Sequence, residues 1–182
     1  MRRAVFVDRD GILNAAIVKE GRPHPPACAK DLEFIPGVRE RLARLRQLDM
    51  LVVCVTNQPD VARGAVSRAT VDEINARVKA EMSLDDLLVC YHDDRDQCDC
   101  RKPRPGLLRE ASARLGIALQ RSYMIGDRWK DVACGAAAGC TTVFVDYGYR
   151  EAYEGPAPDH TSATAVDAFD YVLTHLTLGP VR

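Results

Sequence analysis

Two acidic residues close to the amino terminus have the type and spacing needed for metal-dependent chemistry. Residues 5–7 are apolar and typical of a short buried strand, and Asp8 and Asp10 follow at once, with Gly11 next. Two carboxylates beside a buried strand repel each other unless a divalent cation offsets their charge. A carboxylate next to Mg²⁺ can also attack phosphorus. On this segment alone, the alternative is a strand end at which Asp10 and Gly11 merely form a turn.

A second group of chemically active residues lies in the middle of the chain. Cys90, His92, Cys98 and Cys100 supply three thiols and one imidazole, the ligand set of a closed tetrahedral structural Zn²⁺ site. A redox pair of Cys98 and Cys100 is the alternative, but it leaves Cys90 and His92 without a role. The sequence therefore predicts a zinc-binding loop over residues 90–100, which would cross-link the end of a strand to the basic segment that follows.

Composition limits the classes of protein to which the chain can belong. With 182 residues, 47% apolar and 28% charged, it is expected to fold as one domain over residues 1–182. The net charge of −1 gives no broad field for nucleic acid or an anionic membrane, so neither is expected as a partner. The apolar run after Met1-Arg2-Arg3 is too short for a signal peptide. Seven cysteines, an odd number, argue against a disulfide framework. We expect a cytoplasmic monomer.

The elements that must position these residues alternate between strand-like and helix-like patterns, which predicts an α/β fold. The predicted strands are residues 5–7, 51–55, 87–91, 123–125 and 142–145. Five helices are predicted: one after Pro36-Gly37, one that begins with a capping box at Thr70, one from Pro105 to Gly116, one that begins near Lys130, and one over residues 163–176. The chain is expected to fray at Gly179-Pro180. Alternation of this kind is typical of a parallel sheet covered by helices on both faces.

Polar residues occur where these strands end. Ligands bind beyond the carboxyl ends of the strands in such sheets, and Asp8, Thr56, Lys102 and Asp127 fall at or near that edge. No insertion of domain size separates Asp10, Thr56 and Lys102, so no separate cap domain is expected. The long segment 14–34 lacks clear periodicity and is interpreted as a lid or binding loop.

Taken together, these strand ends resemble the haloacid dehalogenase (HAD) superfamily of phosphohydrolases, subfamily IIIA. The first motif matches Asp8-Arg9-Asp10-Gly11, the second Thr56-Asn57-Gln58, the third Lys102, and the fourth Gly126-Asp127 with Asp131. The chain is most similar to the D-glycero-D-manno-heptose 1,7-bisphosphate 7-phosphatases and the histidinol-phosphate phosphatases, which share the Cys-x-Cys-Arg-Lys-Pro segment found here. The resemblance implies a HAD-like Rossmannoid three-layer sandwich with a central parallel sheet.

The resemblance also implies a role for each matching residue. Asp8 would be the nucleophile that forms a phospho-aspartate, and Asp10 the general acid and then base. Mg²⁺ would be held by Asp8, Asp127 and the main-chain carbonyl of Asp10. Thr56 and Lys102 would bind the phosphoryl group during catalysis. Substrate contacts are implied for four further residues, namely Asn57, Gln58, Arg101 and Arg128. Two interpretations of Asp131 stay open, since it could orient Lys102 or the waters of the metal, or be an ordinary acid in a first helical turn.

The function expected from this resemblance is a Mg²⁺-dependent phosphohydrolase that acts on a small sugar phosphate or bisphosphate, first of all a heptose 1,7-bisphosphate 7-phosphatase. Histidinol-phosphate phosphatase is the second enzymatic hypothesis. A hypothesis from another class is an inactive, zinc-stabilised protein that only binds phosphate esters, against which the intact set of Asp8, Asp10, Lys102 and Asp127 argues. Ile12 stands where many members of the superfamily have Thr. The segment Pro59-Asp60-Val61 and residues 14–22 depart from the heptose pattern, and these differences leave the sugar open.

Overall fold

A computed structural model of the chain describes residues 1–178 and contains a six-stranded parallel sheet. The strands in chain order are β1 (Arg3–Val7), β2 (Ile17–Lys19), β3 (Arg22–His24), β4 (Met50–Asn57), β5 (Asp86–Cys90), β6 (Tyr123–Gly126), β7 (Thr141–Val145) and β8 (His160–Ser162). The sheet has the order β5-β4-β1-β6-β7-β8, while β2 and β3 form a separate hairpin. The strand that ends at Asp8 therefore lies near the middle of the sheet.

Helices cover both faces of the sheet. They are α1 (Val38–Gln47), α2 (Arg68–Glu81), α3 (Gly106–Leu115), α4 (Trp129–Ala138) and α5 (Ala165–Leu178). Val5 and Val7 of β1 pack into the core formed with α1, α2 and α5, whereas Phe6 packs into the core formed with α3 and α4. This alternation follows from the two-residue period of a strand, and burial on both faces explains why residues 4–7 of β1 are all apolar. The predicted three-layer α/β fold is confirmed.

The sheet contains one more strand than the sequence predicts, and the segment 14–34 is more ordered than a loop. The three residues of β8 are too few and too polar to give a strand pattern. The hairpin of β2 and β3 is closed by Glu20 and Gly21, both with positive φ (52° and 78°), as a two-residue turn of this kind requires. Glutamate rarely adopts a positive φ, so this turn gives no recognisable signal.

Two predicted helix starts differ from the structure. The capping box predicted at Thr70 is wrong, because Ser67 is the N-cap of α2 and its Oγ accepts a hydrogen bond from the Thr70 amide at 3.0 Å. The last helix was predicted over residues 163–176 and is observed from Ala165 to Leu178; the fraying predicted at Gly179-Pro180 lies outside the described residues. The end of α3 agrees with the prediction, since Gly116 follows it with φ of 66°. Among residues 1–178, every helix is too short or too polar to cross a bilayer.

Candidate active site

The carboxyl ends of the central strands open into a cavity of about 560 Å³. Asp8 follows β1 and Asp127 follows β6, so the two carboxylates reach the same place from adjacent strands. Of the other predicted site residues, six line this cavity: Asp10, Asn57, Gln58, Arg101, Lys102 and Arg128. Thr56 lies beneath them, only 1% exposed, and its hydroxyl accepts a hydrogen bond from Gln58 Nε2 at 3.0 Å.

Lys102 is buried between two carboxylates. Its Nζ lies 2.8 Å from Asp8 Oδ1 and 2.6 Å from Asp131 Oδ1, and it also donates to the carbonyl of Val55 at 2.8 Å. Burial by itself would lower the pKa of Lys102, but the negative charges of Asp131 and Asp8 outweigh burial and raise it. Lys102 is therefore an ammonium that directly contacts the predicted nucleophile.

Asp131 serves both of the functions that the sequence analysis left open. One carboxylate oxygen pairs with Lys102, as described above. The other oxygen accepts a hydrogen bond from the backbone amide of Arg128 at 3.1 Å, at the start of α4. Asp131 thus orients the lysine and also satisfies a free amide of the first helical turn.

Three carboxylates crowd around this single ammonium. Asp8, Asp127 and Asp131 each offer an oxygen within 4.8 Å of the others. Burial raises the pKa of Asp8 to about 6, an effect that Lys102 opposes. Burial, together with the charges of Asp8 and Asp131, also raises the pKa of Asp127 well above its ordinary range. Oδ1 of Asp127 is buried without a hydrogen-bond partner. Excess negative charge and a free carboxylate oxygen suit a hard divalent cation.

Glycines in the first and fourth motifs allow this crowding. A side chain at Gly11 would overlap the carboxylate of Asp127, and one at Gly126 would overlap that of Asp131. Gly11 also has φ of +83°, a conformation that is costly for other residues. The two motif glycines are therefore needed to bring the acids together.

Asp10 is held by three side chains, of which Arg9 and Asn14 were not predicted as site residues from the sequence. The fully buried Arg9 donates to both oxygens of Asp10 at 3.2 and 2.9 Å, and Asn14 Nδ2 donates to Oδ1 at 2.9 Å. Gln58 Nε2 donates to Oδ2 at 3.1 Å. Arg9 is fixed in turn by Asn75 Oδ1 at 2.7 Å. Asp10 is thus fixed at the cavity by donors from three positions.

The loop that carries Lys102 is attached to the end of β4. Asn57 Nδ2 donates to the carbonyl of Lys102 at 3.0 Å, and the amide of Lys102 donates to Asn57 Oδ1 at 3.1 Å. The Lys102-Pro103 peptide bond is cis. The side chain of Asn57 therefore positions the lysine loop through a pair of reciprocal hydrogen bonds.

The two arginines predicted to contact substrate both line the cavity and are both paired with acids. Arg101 Nε donates to Asp94 Oδ1 at 2.8 Å, and Arg128 pairs with Glu151. Each guanidinium is thereby oriented before any ligand is bound. The paired carboxylate also competes with an anionic ligand for the guanidinium.

The predicted zinc ligands come together at the end of β5. Ligand atoms of Cys90, His92, Cys98 and Cys100 all lie within 4.8 Å of one another. The Cys100 sulfur is 3.2 Å from that of Cys90 and 3.3 Å from that of Cys98, and His92 Nδ1 lies 3.2 Å from Cys100 Sγ. Three other cysteines (Cys54, Cys134 and Cys140) are buried, and burial raises the pKa of each thiol, as is typical of inert core cysteines.

Comparison with known proteins agrees with this geometry. The family model for HAD-hydrolase-like proteins matches residues 99–177. A D-glycero-β-D-manno-heptose-1,7-bisphosphate 7-phosphatase of Salmonella typhi is 33% identical over 95% of this chain and 90% of its own length. A relative of the same name from Bordetella bronchiseptica is 34% identical over 80% of this chain and 82% of its own. The crystal structure of D,D-heptose 1.7-bisphosphate phosphatase from B. bronchiseptica, complexed with magnesium and phosphate, has a TM-score of 0.79 at 25% identity and covers 95% of this chain and 99% of that one.

These relatives and the site together define the class of the protein: the chain belongs to the HAD-like hydrolases. Within them it is a phosphatase, a hydrolase of phosphoric monoesters, and it groups with the relatives just described. The predicted resemblance to the HAD superfamily is thus confirmed. The hypothesis of an inactive binding protein and that of a histidinol-phosphate phosphatase receive no support from these relatives.

Proposed function

We propose that the chain is a Mg²⁺-dependent phosphatase of a sugar bisphosphate, with D-glycero-D-manno-heptose 1,7-bisphosphate as its substrate. The main support is the arrangement of Asp8, which lies in a large cavity between a buried ammonium and a second buried acid, Asp127. The names of the relatives support the choice of sugar and of the phosphate removed.

In the proposed reaction, Asp8 attacks phosphorus through the carboxylate oxygen that Lys102 does not bind. A bond forms between this oxygen and phosphorus while the bond from phosphorus to the sugar oxygen breaks, and Asp10 gives its proton to the departing oxygen. Asp10 then takes a proton from water, whose oxygen forms a bond to phosphorus while the bond from phosphorus to the Asp8 oxygen breaks. Phosphate leaves, and the Asp8 carboxylate is restored. Lys102 offsets the negative charge of both partners throughout.

Mg²⁺ fits the acids of this site. We propose that Asp8, Asp127 and the main-chain carbonyl of Asp10 hold the ion, which when bound offsets the repulsion between carboxylates and phosphate. Asp131 lies close enough to be a ligand, but Lys102 and the Arg128 amide already engage its two oxygens. Asp127 Oδ1, by contrast, is free.

A second anionic group on the substrate would match the cations at the cavity wall. Arg22, Lys130 and Arg150 line the cavity and form no ion pair within residues 1–178, unlike Arg101 and Arg128. Cations without an acidic partner attract a phosphate that Asp8 does not attack. We infer that they select a bisphosphate over a monophosphate.

We expect the wild-type enzyme to release phosphate from heptose 1,7-bisphosphate with a higher kcat/KM than from heptose 7-phosphate or histidinol phosphate. Replacing Arg22 and Arg150 by Gln should raise the KM for the bisphosphate at least tenfold, because one charge-assisted hydrogen bond contributes about 1.5–3 kcal/mol and about 1.4 kcal/mol is a factor of ten. The KM for heptose 7-phosphate should change little. The measurement is steady-state release of inorganic phosphate from each compound.

The matched control is Arg39→Gln, because Arg39 is an exposed arginine of α1 that pairs with Glu81 away from the cavity. It should leave all three KM values unchanged. Faster turnover of histidinol phosphate than of the heptose bisphosphate would reject the proposed substrate.

We also propose that Cys90, His92, Cys98 and Cys100 bind one structural Zn²⁺. Sulfur atoms in a tetrahedral site with Zn–S bonds of about 2.3 Å are separated by about 3.7 Å. The three sulfur pairs here are separated by 3.2, 3.3 and 3.7 Å, close to that arrangement. The ion would join the end of β5 to the loop that presents Lys102, so its effect on catalysis would be indirect.

Metal analysis of the purified wild-type chain should find about one zinc per chain. Cys100→Ser should lose most of this zinc and unfold at a lower temperature, because a structural zinc site contributes directly to folding. Cys28→Ser is the matched control, since Cys28 lies outside the cluster and only half buried. A metal-free wild-type preparation that unfolds at the same temperature as a zinc-loaded one would contradict the assignment.

A further inference from the structure

The connection between β7 and β8 is unusual for parallel strands. Neighbouring parallel strands are usually joined through a helix, but residues 146–159 join these two without one. The first part of this segment, residues 146–151, crosses the carboxyl edge of the sheet and contributes Arg150 and Glu151 to the cavity wall. We call residues 146–151 the crossover segment.

The crossover segment is attached to the active site at several points. Tyr147 donates its hydroxyl to the carbonyl of Gly11 at 2.9 Å, directly after the Asp8–Asp10 pair. The amide of Arg150 donates to the carbonyl of Gly21 in the β2–β3 turn at 2.8 Å. The rings of Tyr147 and Tyr149 pack with centroids 5.7 Å apart. Tyr149, between these attachments, is thus fixed in place.

Tyr149 makes a contact that the chemistry described so far does not use. Its hydroxyl donates to Asp127 Oδ2 at 3.0 Å, and this is the only hydrogen bond to the Asp127 carboxylate among residues 1–178. Asp8 and Asp131, the other two acids, are both held by Lys102. The orientation of Asp127 therefore depends on a tyrosine hydroxyl, whereas that of the other acids depends on a lysine.

From these contacts we infer that Tyr149 is a positioning residue for the metal site, an inference that rests on the proposed role of Asp127 as a Mg²⁺ ligand. The hydroxyl fixes Oδ2, and Gly11 packs against the same oxygen. The carboxylate is thereby prevented from rotating, and its buried Oδ1 is left without a hydrogen-bond donor among residues 1–178. Groups that orient a metal ligand in this way typically contribute about 10- to 100-fold to metal affinity.

The test compares wild type with Tyr149→Phe. Mg²⁺ binding by each substrate-free protein is measured by titration calorimetry. The phenyl ring keeps its packing against Tyr147 while the hydrogen bond to Asp127 is lost. We expect the dissociation constant for Mg²⁺ to rise about 10- to 100-fold. In turnover assays, the Mg²⁺ concentration for half-maximal activity should rise by the same factor, and kcat at saturating Mg²⁺ should return close to the wild-type value.

Tyr153→Phe is the matched control, because Tyr153 lies in the same β7–β8 connection and donates its hydroxyl to the carbonyl of Pro156, away from the acids. It should bind Mg²⁺ like wild type. Equal Mg²⁺ affinity in Tyr149→Phe and wild type would overturn the inference, as would a loss of kcat that saturating Mg²⁺ does not restore. Asp127→Asn separates this inference from the proposed function: if it binds Mg²⁺ as tightly as wild type, the metal site itself is wrongly assigned.

Discussion

An Asp8→Asn variant is expected to fold and to bind the heptose bisphosphate, but to lose turnover by a factor on the order of 10⁴ or more. The amide that replaces the carboxylate is too weak a nucleophile to attack phosphorus. Its oxygen can still accept a hydrogen bond from Lys102, which also keeps its ion pair with Asp131. The substitution therefore removes the reacting group and preserves the structure around it.

Two measurements check this expectation. Phosphate release in single-turnover experiments should be undetectable, while calorimetry should show binding of the bisphosphate and thermal unfolding should remain close to wild type. Asp170→Asn is a suitable control, because it makes the same change in a side chain of α5 that is 41% exposed and pairs with Arg41 of α1, away from the cavity. An Asp8→Asn enzyme that turns over at the wild-type rate would remove Asp8 as the nucleophile.

Replacement of Lys102 by Met is expected to abolish activity and to cost about 3–5 kcal/mol of unfolding free energy. The side chain is only 2% exposed, and its removal leaves Asp8 and Asp131 buried without their counter-charge. For a chain of this length, such a loss lowers the unfolding temperature by about 6–20 °C. The comparison is thermal unfolding of wild type and variant in the presence of a chelator of Mg²⁺, so that a bound ion does not offset the lost charge.

Lys79 provides the matched control for this prediction. It pairs with Asp86 at 3.1 Å, a distance similar to that in the Lys102 pairs, but its side chain is 47% exposed. Lys79→Met should cost less than about 1 kcal/mol, because the lysine is exposed and Arg114 still pairs with Asp86 at 3.0 Å. Similar losses for the two lysines would mean that the Lys102 pairs contribute no more than an exposed ion pair.

The parts of the site that the sequence predicts are those that depend on local order along the chain. Asp8 and Asp127 each come directly after an apolar run, and parallel strands bring such positions to one edge. The cysteine cluster is equally local, since Cys90 to Cys100 lie on a single strand end and the loop after it. The alternation of strands and helices, for the same reason, is enough to predict the three layers.

The contacts that the sequence does not predict join positions far apart in the chain. Arg9 contacts Asn75 on α2, and Tyr149, in the connection that follows β7, contacts Asp127, which follows β6. An arginine next to an aspartate, or a tyrosine in a loop, is ordinary in any sequence, so no pattern marks them. The role of Asp131 stayed open for a related reason. A choice between its two interpretations requires the position of Lys102, which comes from a different segment.

The position of β1 in the sheet separates the reaction from the recognition of the substrate. Asp8 extends from a strand flanked on both sides by neighbours, whereas Arg22 and Arg150 lie at the wall of the cavity, on the β2–β3 hairpin and on the crossover segment. Changes at these two positions can accumulate without displacing the nucleophile. A single catalytic framework can in this way be adapted to new metabolites by exchanging outer residues of its cavity, and laboratory evolution of altered selectivity would begin with Arg22 and Arg150 and keep Tyr147 and Tyr149.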